Sequence, residues 1–292
     1  MSEITLSVII PVTRMSGKLS NLKKTFEECS EKDIEFVIVH DEQDEDTQSE
    51  LEELVTTFRD LRIRLFRKTF NSPGLARNYG ISKSIGLWFC FSDSDDVPYT
   101  ANLKKTAINA DRANADVGIG NLLISSEGKE SLVLSKYLEH INRKSLAAFV
   151  QNPGFTRFVF RSKEFKSVEF PKIRMAEDQV YLARSKFLDY KIYISNLLLY
   201  KYDVDVVDQA TKNPESLNEL SDSLPLIYNL RGLSSPITRQ LLWMLILKIA
   251  FTCLARNIKT GRALRYTLLA TICSPLNSFF ALISSLRLKI EK

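Results

Sequence analysis

The chain has 292 residues, of which 45% are hydrophobic and 26% are charged, with 10 glycines and 9 prolines. This composition excludes collagen-like and disordered proteins, and the 4 cysteines, which form no C-x-x-C pair, argue against a disulfide framework or a zinc ribbon. The first apolar run follows no basic segment and is interrupted by Pro11, so we expect a cytoplasmic protein without a signal peptide.

The net charge of +5 is unevenly distributed along the chain. Residues 231–292 contain ten basic residues and one acidic residue, so they carry +9 and the preceding 230 residues carry −4. Because this basic segment is also apolar, it suits an anionic membrane surface, whereas nucleic acid requires a polar basic face or stacking aromatic groups. We therefore expect a membrane partner and no nucleic-acid partner.

The first two hundred residues alternate strand-like and helix-like patterns, which predicts an α/β fold with a mostly parallel sheet flanked by helices. Pro73 suits the first turn of a helix, where its missing N–H is not needed. The predicted strands are residues 4–12, 34–40, 61–67, 87–91, 117–124, 157–160 and 192–200, and the predicted helices are residues 19–26, 51–58, 73–85, 101–113, 135–149 and 176–188.

The C-terminal pattern predicts a polar linker over residues 204–230 and a helical, apolar and basic tail over 231–292, after a first domain at 1–203. Within the tail, Lys248 splits one apolar run, and residues 266–286 carry no charge over a length that would span a bilayer. Polar residues and a proline in this second run favour a bent helix lying on the membrane surface. A membrane-spanning helix and an oligomer or core surface are the alternatives.

Three carboxylates, Asp93, Asp95 and Asp96, directly follow a predicted buried strand. Ligands bind open α/β sheets at the carboxyl ends of the strands, and like charges this close repel each other unless a cation compensates them. Mg²⁺ or Mn²⁺ would do so, because each prefers oxygen ligands that substrate phosphates complete. For an isolated Asp-Ser-Asp-Asp, the alternative is a solvated turn that caps the next helix.

Four other motifs accompany this cluster, and together they resemble the family 2 glycosyltransferases of GT-A fold in order and spacing. The resemblance covers about residues 4–200 and does not extend to the tail. It implies a nucleotide-sugar donor, a divalent cation and inversion at the anomeric carbon. The motifs are Ser-Val-Ile-Ile-Pro-Val at 7–12, Val-Ile-Val-His-Asp at 37–41, Gly-Leu-Ala-Arg-Asn-Tyr-Gly at 74–80, Phe-Ser-Asp-Ser-Asp-Asp at 91–96 and the pair Glu177-Asp178.

The resemblance implies a nucleotide-binding role for Asp41, Pro11 and Arg77. Asp41 matches the aspartate that recognises the nucleobase, commonly uracil, and a carboxylate is apt there because it accepts the ring N–H. Pro11 ends the first strand beside it. Arg77 matches the arginine of the G-x-A-R-N run, whose guanidinium pairs with a diphosphate. The structural alternative for Arg77 is a surface salt bridge to the acidic run 41–46.

The same resemblance assigns the remaining acids. Asp93 and Asp95 match the D-x-D motif, so both are nucleotide-binding candidates, and Asp95 and Asp96 are the candidate metal ligands. Asp178 is the candidate general base that deprotonates the acceptor hydroxyl, and Glu177 would contact the acceptor or orient the base. The alternative is that two acids in a first turn only complement the helix dipole.

These features predict a metal-dependent inverting glycosyltransferase that uses a UDP-sugar, with a saccharide or lipid-linked acceptor, in cell-surface polysaccharide or glycolipid synthesis. Its basic tail predicts a peripheral location on the inner face of the cell membrane. One alternative is a sugar nucleotidyltransferase, for which residues 13–18 would be the phosphate loop. The other is a non-catalytic sugar-nucleotide-binding scaffold at the membrane.

Overall fold

The structure is a computed structural model. Its elements follow the alternation that the sequence predicts for most of the chain. It describes residues 3–13, 15, 17–42, 44–126, 128–152, 154–203, 214–280 and 282.

Two compact units make up the structure, and they divide the chain differently from the predicted domains 1–203, 204–230 and 231–292. Two segments of the predicted first domain group with the C-terminal residues, because the helices they form pack against a long apolar helix there. Unit 1 consists of Met1–Ser135, Gly154–Lys172 and Lys191–Val206, and unit 2 consists of Lys136–Pro153, Ile173–Tyr190 and Val207–Lys292.

Unit 1 contains one nine-stranded sheet, and all seven predicted strands are present in it. Two further short strands, Val97–Pro98 and Lys129–Val133, are not evident in the sequence pattern. The strands are β1 (Leu6–Val12), β2 (Ile34–Asp41), β3 (Arg62–Lys68), β4 (Trp88–Phe91), β5 (Val97–Pro98), β6 (Val117–Ser126), β7 (Lys129–Val133), β8 (Phe158–Arg161) and β9 (Ile192–Asp203).

The sheet has the order β3-β2-β1-β4-β8-β6-β9-β5, with β7 paired to β6. The pairs β1–β2, β1–β4, β2–β3 and β6–β9 are parallel, and the other four are antiparallel. β1 and β2 are buried along their whole length, which is why they read as continuous apolar runs.

Helices alternate with the strands along the sequence of unit 1. One of them, α3, packs closely on β1 because Gly80 has no side chain: a Cβ at this position would lie 2.5 Å from Ile9 Cγ2. The helices of unit 1 are α1 (Ser20–Glu28), α2 (Glu45–Thr57), α3 (Pro73–Lys83), α4 (Thr100–Arg112) and α6 (Ser162–Phe165).

Unit 2 is helical in the part that the structure describes. The predicted helix 135–149 is instead a 3₁₀ turn followed by α5, because Asn142 forms a capping box that starts a new helix. The described part of the predicted linker, 214–230, is helical with buried leucines, and residues 204–213 lie outside the described residues. Its helices are α5 (Arg143–Gln151), α7 (Glu177–Ser185), α8 (Pro214–Asn218), α9 (Ser223–Leu230), α10 (Pro236–Ala255) and α11 (Thr260–Cys273).

α10 agrees with the alternative of a core surface for the first apolar run of the tail. It is long and apolar enough to span a membrane, but most of it is buried against α5, α7, α9 and α11. A helix that is apolar on all sides suits a protein core as well as a membrane. The second apolar run is not one continuous helix, since α11 ends at Cys273, two residues before Pro275, and the predicted bent helix on the membrane surface stays a prediction. Residues 283–292 of the tail lie outside the described residues.

Candidate active site

The predicted donor-site residues of unit 1 lie at one edge of its sheet. β1 runs parallel to both β2 and β4, with Val12 beside His40 and Ile9 beside Phe91. The carboxyl ends of these three strands therefore meet at the same edge. Pro11 lies in β1, Asp41 ends β2, and the cluster 93–96 follows β4.

Asp41 is buried and holds the loop that leads into α3. Its carboxylate accepts hydrogen bonds from three successive backbone amides, those of Phe70, Asn71 at 2.9 Å and Ser72 at 2.8 Å. Ser72 is the N-cap of α3, so Asp41 fixes the start of the helix that carries Arg77. A carboxylate has about four lone-pair sites, and the three amides of this loop occupy three of them. The nucleobase role of Asp41 stays a prediction.

Arg77 pairs with Asp93, and its side chain is only 6% exposed. The guanidinium donates to Asp93 Oδ1 at 2.6 Å and lies over the rings of Phe155 and Phe170, 5.6 and 5.5 Å from their centroids. The predicted alternative of a surface salt bridge is therefore wrong. Asn78, the next residue of the same run, exchanges two hydrogen bonds with the backbone of Phe170.

Asp96 is buried and accepts a hydrogen bond from the Tyr200 hydroxyl at 3.0 Å. The same hydroxyl accepts the backbone N–H of Asp93 at 2.9 Å. Burial, and then the nearby carboxylates of Asp96 and Asp93, raise the pKa of Tyr200 well above its usual value. Tyr200 therefore stays protonated and remains a donor, which fixes the orientation of Asp96.

Asp95 is half-buried and lies between Asp93 and Asp96 in the sequence. Its backbone carbonyl accepts a hydrogen bond from the side-chain amide of Asn21. Among the residues that the structure describes, no group of three or more His, Cys, Asp or Glu side chains converges as a metal site. Two aspartates still offer the hard oxygen ligands that Mg²⁺ and Mn²⁺ prefer when phosphates complete the coordination. The residues thus fit a divalent cation that binds together with a diphosphate.

Glu177 and Asp178 begin α7 in unit 2. The backbone amide of Gln179 donates to Asp178 Oδ1 at 2.8 Å. Ala176, just before them, has a φ of +60°, a left-handed conformation that is strained for alanine and is common at functional sites. Both acids also lie in the first turn of the helix, where a negative charge interacts favourably with the helix dipole. Their catalytic assignment stays a prediction.

The described part of the 13–18 loop, the proposed phosphate loop of the nucleotidyltransferase alternative, bonds to the protein itself. The backbone N–H of Gly17 donates to the Glu50 carboxylate at 2.9 Å, and that of Met15 donates to Thr47 Oγ1 at 3.0 Å. These amides are therefore not presented to a phosphate. Residues 14 and 16 lie outside the described residues.

The contacts of Tyr200 and of the ring pair Phe155 and Phe170 with this site were not predicted from the sequence. Tyr200 lies 104 residues after Asp96 and reaches it because β9 pairs with β5. No local pattern marks such a contact. The available signal was a tyrosine, whose hydroxyl needs a partner when buried, at the end of the predicted strand 192–200.

Solved structures share this fold at low sequence identity. Staphylococcus aureus TarS 1–349 in complex with UDP-GlcNAc matches with a TM-score of 0.68 and 18% identity, covering 90% of this chain and 78% of that one. The mannosyltransferase PcManGT from Pyrobaculum calidifontis, in complex with GDP-Man and Mn²⁺, matches with a TM-score of 0.61 and 16% identity, covering 99% and 81%. The predicted GT-A fold is thereby confirmed.

Sequence comparisons agree. Succinoglycan biosynthesis protein ExoO of Rhizobium meliloti is 30% identical over 165 residues, 51% of this chain and 46% of ExoO. The GalNAc(5)-diNAcBac-PP-undecaprenol β-1,3-glucosyltransferase of Campylobacter jejuni is 28% identical over 126 residues, 43% of this chain and 40% of that protein. The matched segments span less than half of either relative. The family model for glycosyl transferase family 2 matches residues 7–168, more than half of the chain, so the chain belongs to this family.

Proposed function

We propose that the protein transfers a sugar from a nucleotide-sugar, a UDP-sugar in the first instance, to an acceptor hydroxyl with inversion. The observation that carries this proposal is the Arg77–Asp93 pair beside the buried Asp96 at the carboxyl edge of the sheet. A guanidinium can donate two parallel hydrogen bonds to phosphate oxygens, and a carboxylate can accept hydrogen bonds from ribose hydroxyls. The family membership and the UDP-GlcNAc complex of TarS support this donor class.

In this proposal, Asp41 accepts the N–H of the base beside Pro11, and Asp93 and Asp95 bind the rest of the nucleotide. Asp95 and Asp96 would hold Mn²⁺ or Mg²⁺, which would neutralise charge on the departing diphosphate. Arg77 shares its guanidinium between Asp93 and the diphosphate.

Asp178 acts as the general base, and Glu177 binds or orients the acceptor. The Asp178 carboxylate takes the proton of the acceptor hydroxyl as the hydroxyl oxygen bonds to the anomeric carbon. The bond from that carbon to the donor phosphate oxygen breaks, and the nucleoside diphosphate leaves with its electron pair. General-base assistance of this kind contributes about 10²–10⁴-fold in rate.

The donor test measures the thermal midpoint with UDP, GDP, CDP and dTDP, each with and without Mn²⁺, because a ligand that binds the native state raises the midpoint. We expect a Mn²⁺-dependent rise with UDP that Asp95→Asn abolishes. Asp111→Asn, which removes a surface partner of Arg161, is the matched control and should keep the rise. No rise with any diphosphate would contradict the proposal and favour the scaffold alternative.

We also propose a peripheral location on the inner face of the cell membrane, which suits a lipid-linked or polysaccharide acceptor. The support is an exposed apolar stripe on the C-terminal helices of unit 2, with side chains 47–77% exposed. The basic residues Lys259, Arg262 and Arg265 lie at its start; the first two share Asp222 as an ion-pair partner, which leaves a net positive charge that suits anionic lipids. The stripe, whose members are three or four residues apart, consists of Leu264, Leu268, Ile272, Leu276, Phe279 and Leu282.

Flotation with vesicles tests this location. We expect the protein to bind vesicles that contain phosphatidylglycerol more than pure phosphatidylcholine vesicles. The double variant Leu268→Glu/Ile272→Glu should weaken binding at least about tenfold, because it removes two apolar side chains from the contact. Leu132→Glu, which changes an exposed leucine of unit 1, is the control. Equal binding by all three proteins would refute the proposal that the stripe contacts the membrane.

A further inference from the structure

Arg231 lies in the turn between α9 and α10 of unit 2, and aromatic rings surround its guanidinium. The Cζ atom lies 3.8 Å from the centroid of the Tyr228 ring and 5.9 Å from that of Trp243. Tyr228 in turn makes edge contacts with Trp243 and Tyr266, at 6.1 and 5.5 Å between ring centroids. Rings from α9, α10 and α11 thus hold one cation in place.

Capping of α9 does not explain this arginine. One guanidinium N–H donates to the carbonyl of Tyr228 at 3.2 Å, but the backbone N–H of Arg231 donates to the same carbonyl, also at 3.2 Å. A guanidinium has five N–H donors, and one that is stacked on a ring keeps the donors along its edge available to an acceptor in its own plane. Among the residues that the structure describes, no carboxylate pairs with this guanidinium. Its edge is therefore open to an external anion.

The acids of unit 2 that bond to α10 and α11 are engaged by other groups. Asp189 accepts from Thr238 Oγ1, in the first turn of α10, at 2.6 Å. Asp222, which precedes α9, pairs with Lys259 at 2.9 Å and with Arg262 at 2.6 Å. Both carboxylates are thus used inside the unit, and the charge of the guanidinium is not neutralised by either.

A second cation lies at the same turn. Lys186 Nζ donates to the carbonyl of Leu233 at 3.2 Å, and it has no carboxylate partner within the described part of the chain. Two apolar side chains of this turn are exposed to solvent, Leu233 to 67% and Ile237 to 39%. The turn therefore combines two unpaired cations with two exposed apolar side chains.

The surroundings of these cations favour the phosphate of a lipid over a soluble anion. Tyr266 of the aromatic cluster lies on α11 between Leu264 and Leu268, two members of the exposed apolar stripe. Tyrosine and tryptophan are enriched where a membrane meets water, because each ring has an apolar body and a polar group. A phosphate at Arg231 would thus have apolar side chains beside it, as a phospholipid requires of its binding site.

We propose that Arg231 and Lys186 bind the phosphate of an anionic phospholipid, an inference that rests on the proposed peripheral location. The Arg231 guanidinium, held on the Tyr228 ring, donates two parallel hydrogen bonds to phosphate oxygens, and the Lys186 ammonium adds a point charge. Leu233 and Ile237 contact the boundary of the acyl region, as the apolar side chains of interfacial segments do. The stripe supplies apolar contact with the membrane, and this site selects anionic lipids.

The first test measures flotation of the full chain with vesicles that contain phosphatidylglycerol. Arg231→Gln should weaken binding about tenfold, because hydrogen bonds between charged groups are lost. Arg231→Lys keeps the charge but loses the planar donors, so it should also bind more weakly than wild type. Arg239→Gln removes an equal charge from an exposed position of α10 and should change binding by no more than about threefold. An Arg231→Gln protein that keeps the wild-type thermal midpoint and binds as well as Arg239→Gln overturns the proposal.

A second test uses the wild-type chain and no vesicles. Trp243 lies beside Arg231 and reports on the site by its fluorescence, whereas Trp88, the other of the two tryptophans, is buried in unit 1. We expect a saturable change with dihexanoyl phosphatidylglycerol below its micelle concentration, and no such change in Arg231→Gln. An equal response to inorganic phosphate would identify a soluble anion as the ligand and overturn the lipid assignment. No response to either probe overturns the site.

The two tests separate this site from the proposed location. If the wild-type chain does not float with phosphatidylglycerol vesicles, the peripheral location fails, and the fluorescence titration with monomeric lipid still decides whether Arg231 binds a lipid phosphate. If wild type and Arg231→Gln float equally well, the location stands and only the site is refuted.

Discussion

The two ends of β2 each bury one acidic side chain, Glu35 and Asp41, but they satisfy them in different ways. Glu35, at the amino end, accepts from Ser7 Oγ at 2.6 Å, from a backbone amide and from the Arg64 guanidinium at 3.1 Å. Asp41, at the carboxyl end, accepts from three backbone amides of one loop. Glu35 is thus paired with a cation of the same sheet, whereas Asp41 holds a loop through its backbone amides.

The difference extends to the neighbours of each acid. Beyond Asp41, the carboxyl edge gathers Asp93, Asp95 and Asp96 within four residues, and Arg77 is the cation that pairs with the first of them. The acid at the amino edge thus has a structural role. At the carboxyl edge, several acids together create negative charge that a bound cation can compensate. Burial alone does not separate a structural acid from a functional one.

The largest expected effect is at the amino end. Glu35→Ala leaves Ser7, Arg64 and a buried amide without their shared acceptor, so the free energy of unfolding should fall by about 3 kcal/mol. Urea denaturation measures it. The exposed Glu53→Ala should change it by less than about 0.5 kcal/mol. The folded fraction of Glu35→Ala should still bind UDP with Mn²⁺. Loss of this binding would contradict the distinction between a structural acid at the amino edge and functional acids at the carboxyl edge.

The buried cation Lys248 extends the comparison to unit 2. Its folded pKa of about 8 lies below that of the unfolded chain, so the unfolded state holds more protons from pH 8 upward. Stability relative to Lys248→Met should therefore be constant below pH 7 and should rise by about 2 kcal/mol by pH 9.5. Urea denaturation of both proteins across this range measures the difference. A flat difference would mean that the ammonium is solvated.

An effect of similar size is expected at Asp41. Asp41→Asn keeps the shape but places an NH₂ group against backbone N–H donors, which should reduce the free energy of unfolding by about 2 kcal/mol. If the nucleobase prediction holds, the thermal rise with UDP and Mn²⁺ should fall as well. A variant with wild-type stability would show that the loop 70–72 is held by other contacts.

The smallest effect on stability is expected at Tyr200. Tyr200→Phe removes the donor to Asp96 and should lower the free energy of unfolding by about 1 kcal/mol. Since partners that orient a metal ligand tune its affinity, the Mn²⁺ concentration for half-maximal stabilisation by UDP should rise about tenfold. An unchanged Mn²⁺ dependence would remove Asp96 from the candidate metal ligands.

The sequence predicted those parts of the fold that local patterns determine. Buried parallel strands such as β1 and β2 read as continuous apolar runs. The carboxylates after β4 were identified from their position after a strand together with the resemblance to the family 2 glycosyltransferases. The orientation of Asp96 was not predictable, because it depends on Tyr200, which is distant in the sequence. The loop held by Asp41 depends likewise on a contact across about thirty residues.

The organisation of unit 2 was beyond local reasoning for a different reason. α10 is apolar on all sides, and the sequence pattern of a core helix is the same as that of a membrane helix. Only the three-dimensional packing of α5 and α7 on this helix reveals that it is a core element. Lys248, which interrupts an apolar run in the sequence, contacts the end of α5 in the structure.

The close approach of α3 to β1 has a consequence for related sequences. An alanine at position 80 would place its Cβ 2.5 Å from Ile9 Cγ2, so a methyl group fits only if the strand residue loses that atom. Among relatives with this helix and strand, we expect the two positions to covary: glycine at 80 with a branched residue at 9, and alanine at 80 only with a small residue at 9. The last glycine of the Gly-Leu-Ala-Arg-Asn-Tyr-Gly run is therefore one half of a steric pair, and its partner lies 71 residues earlier in the chain.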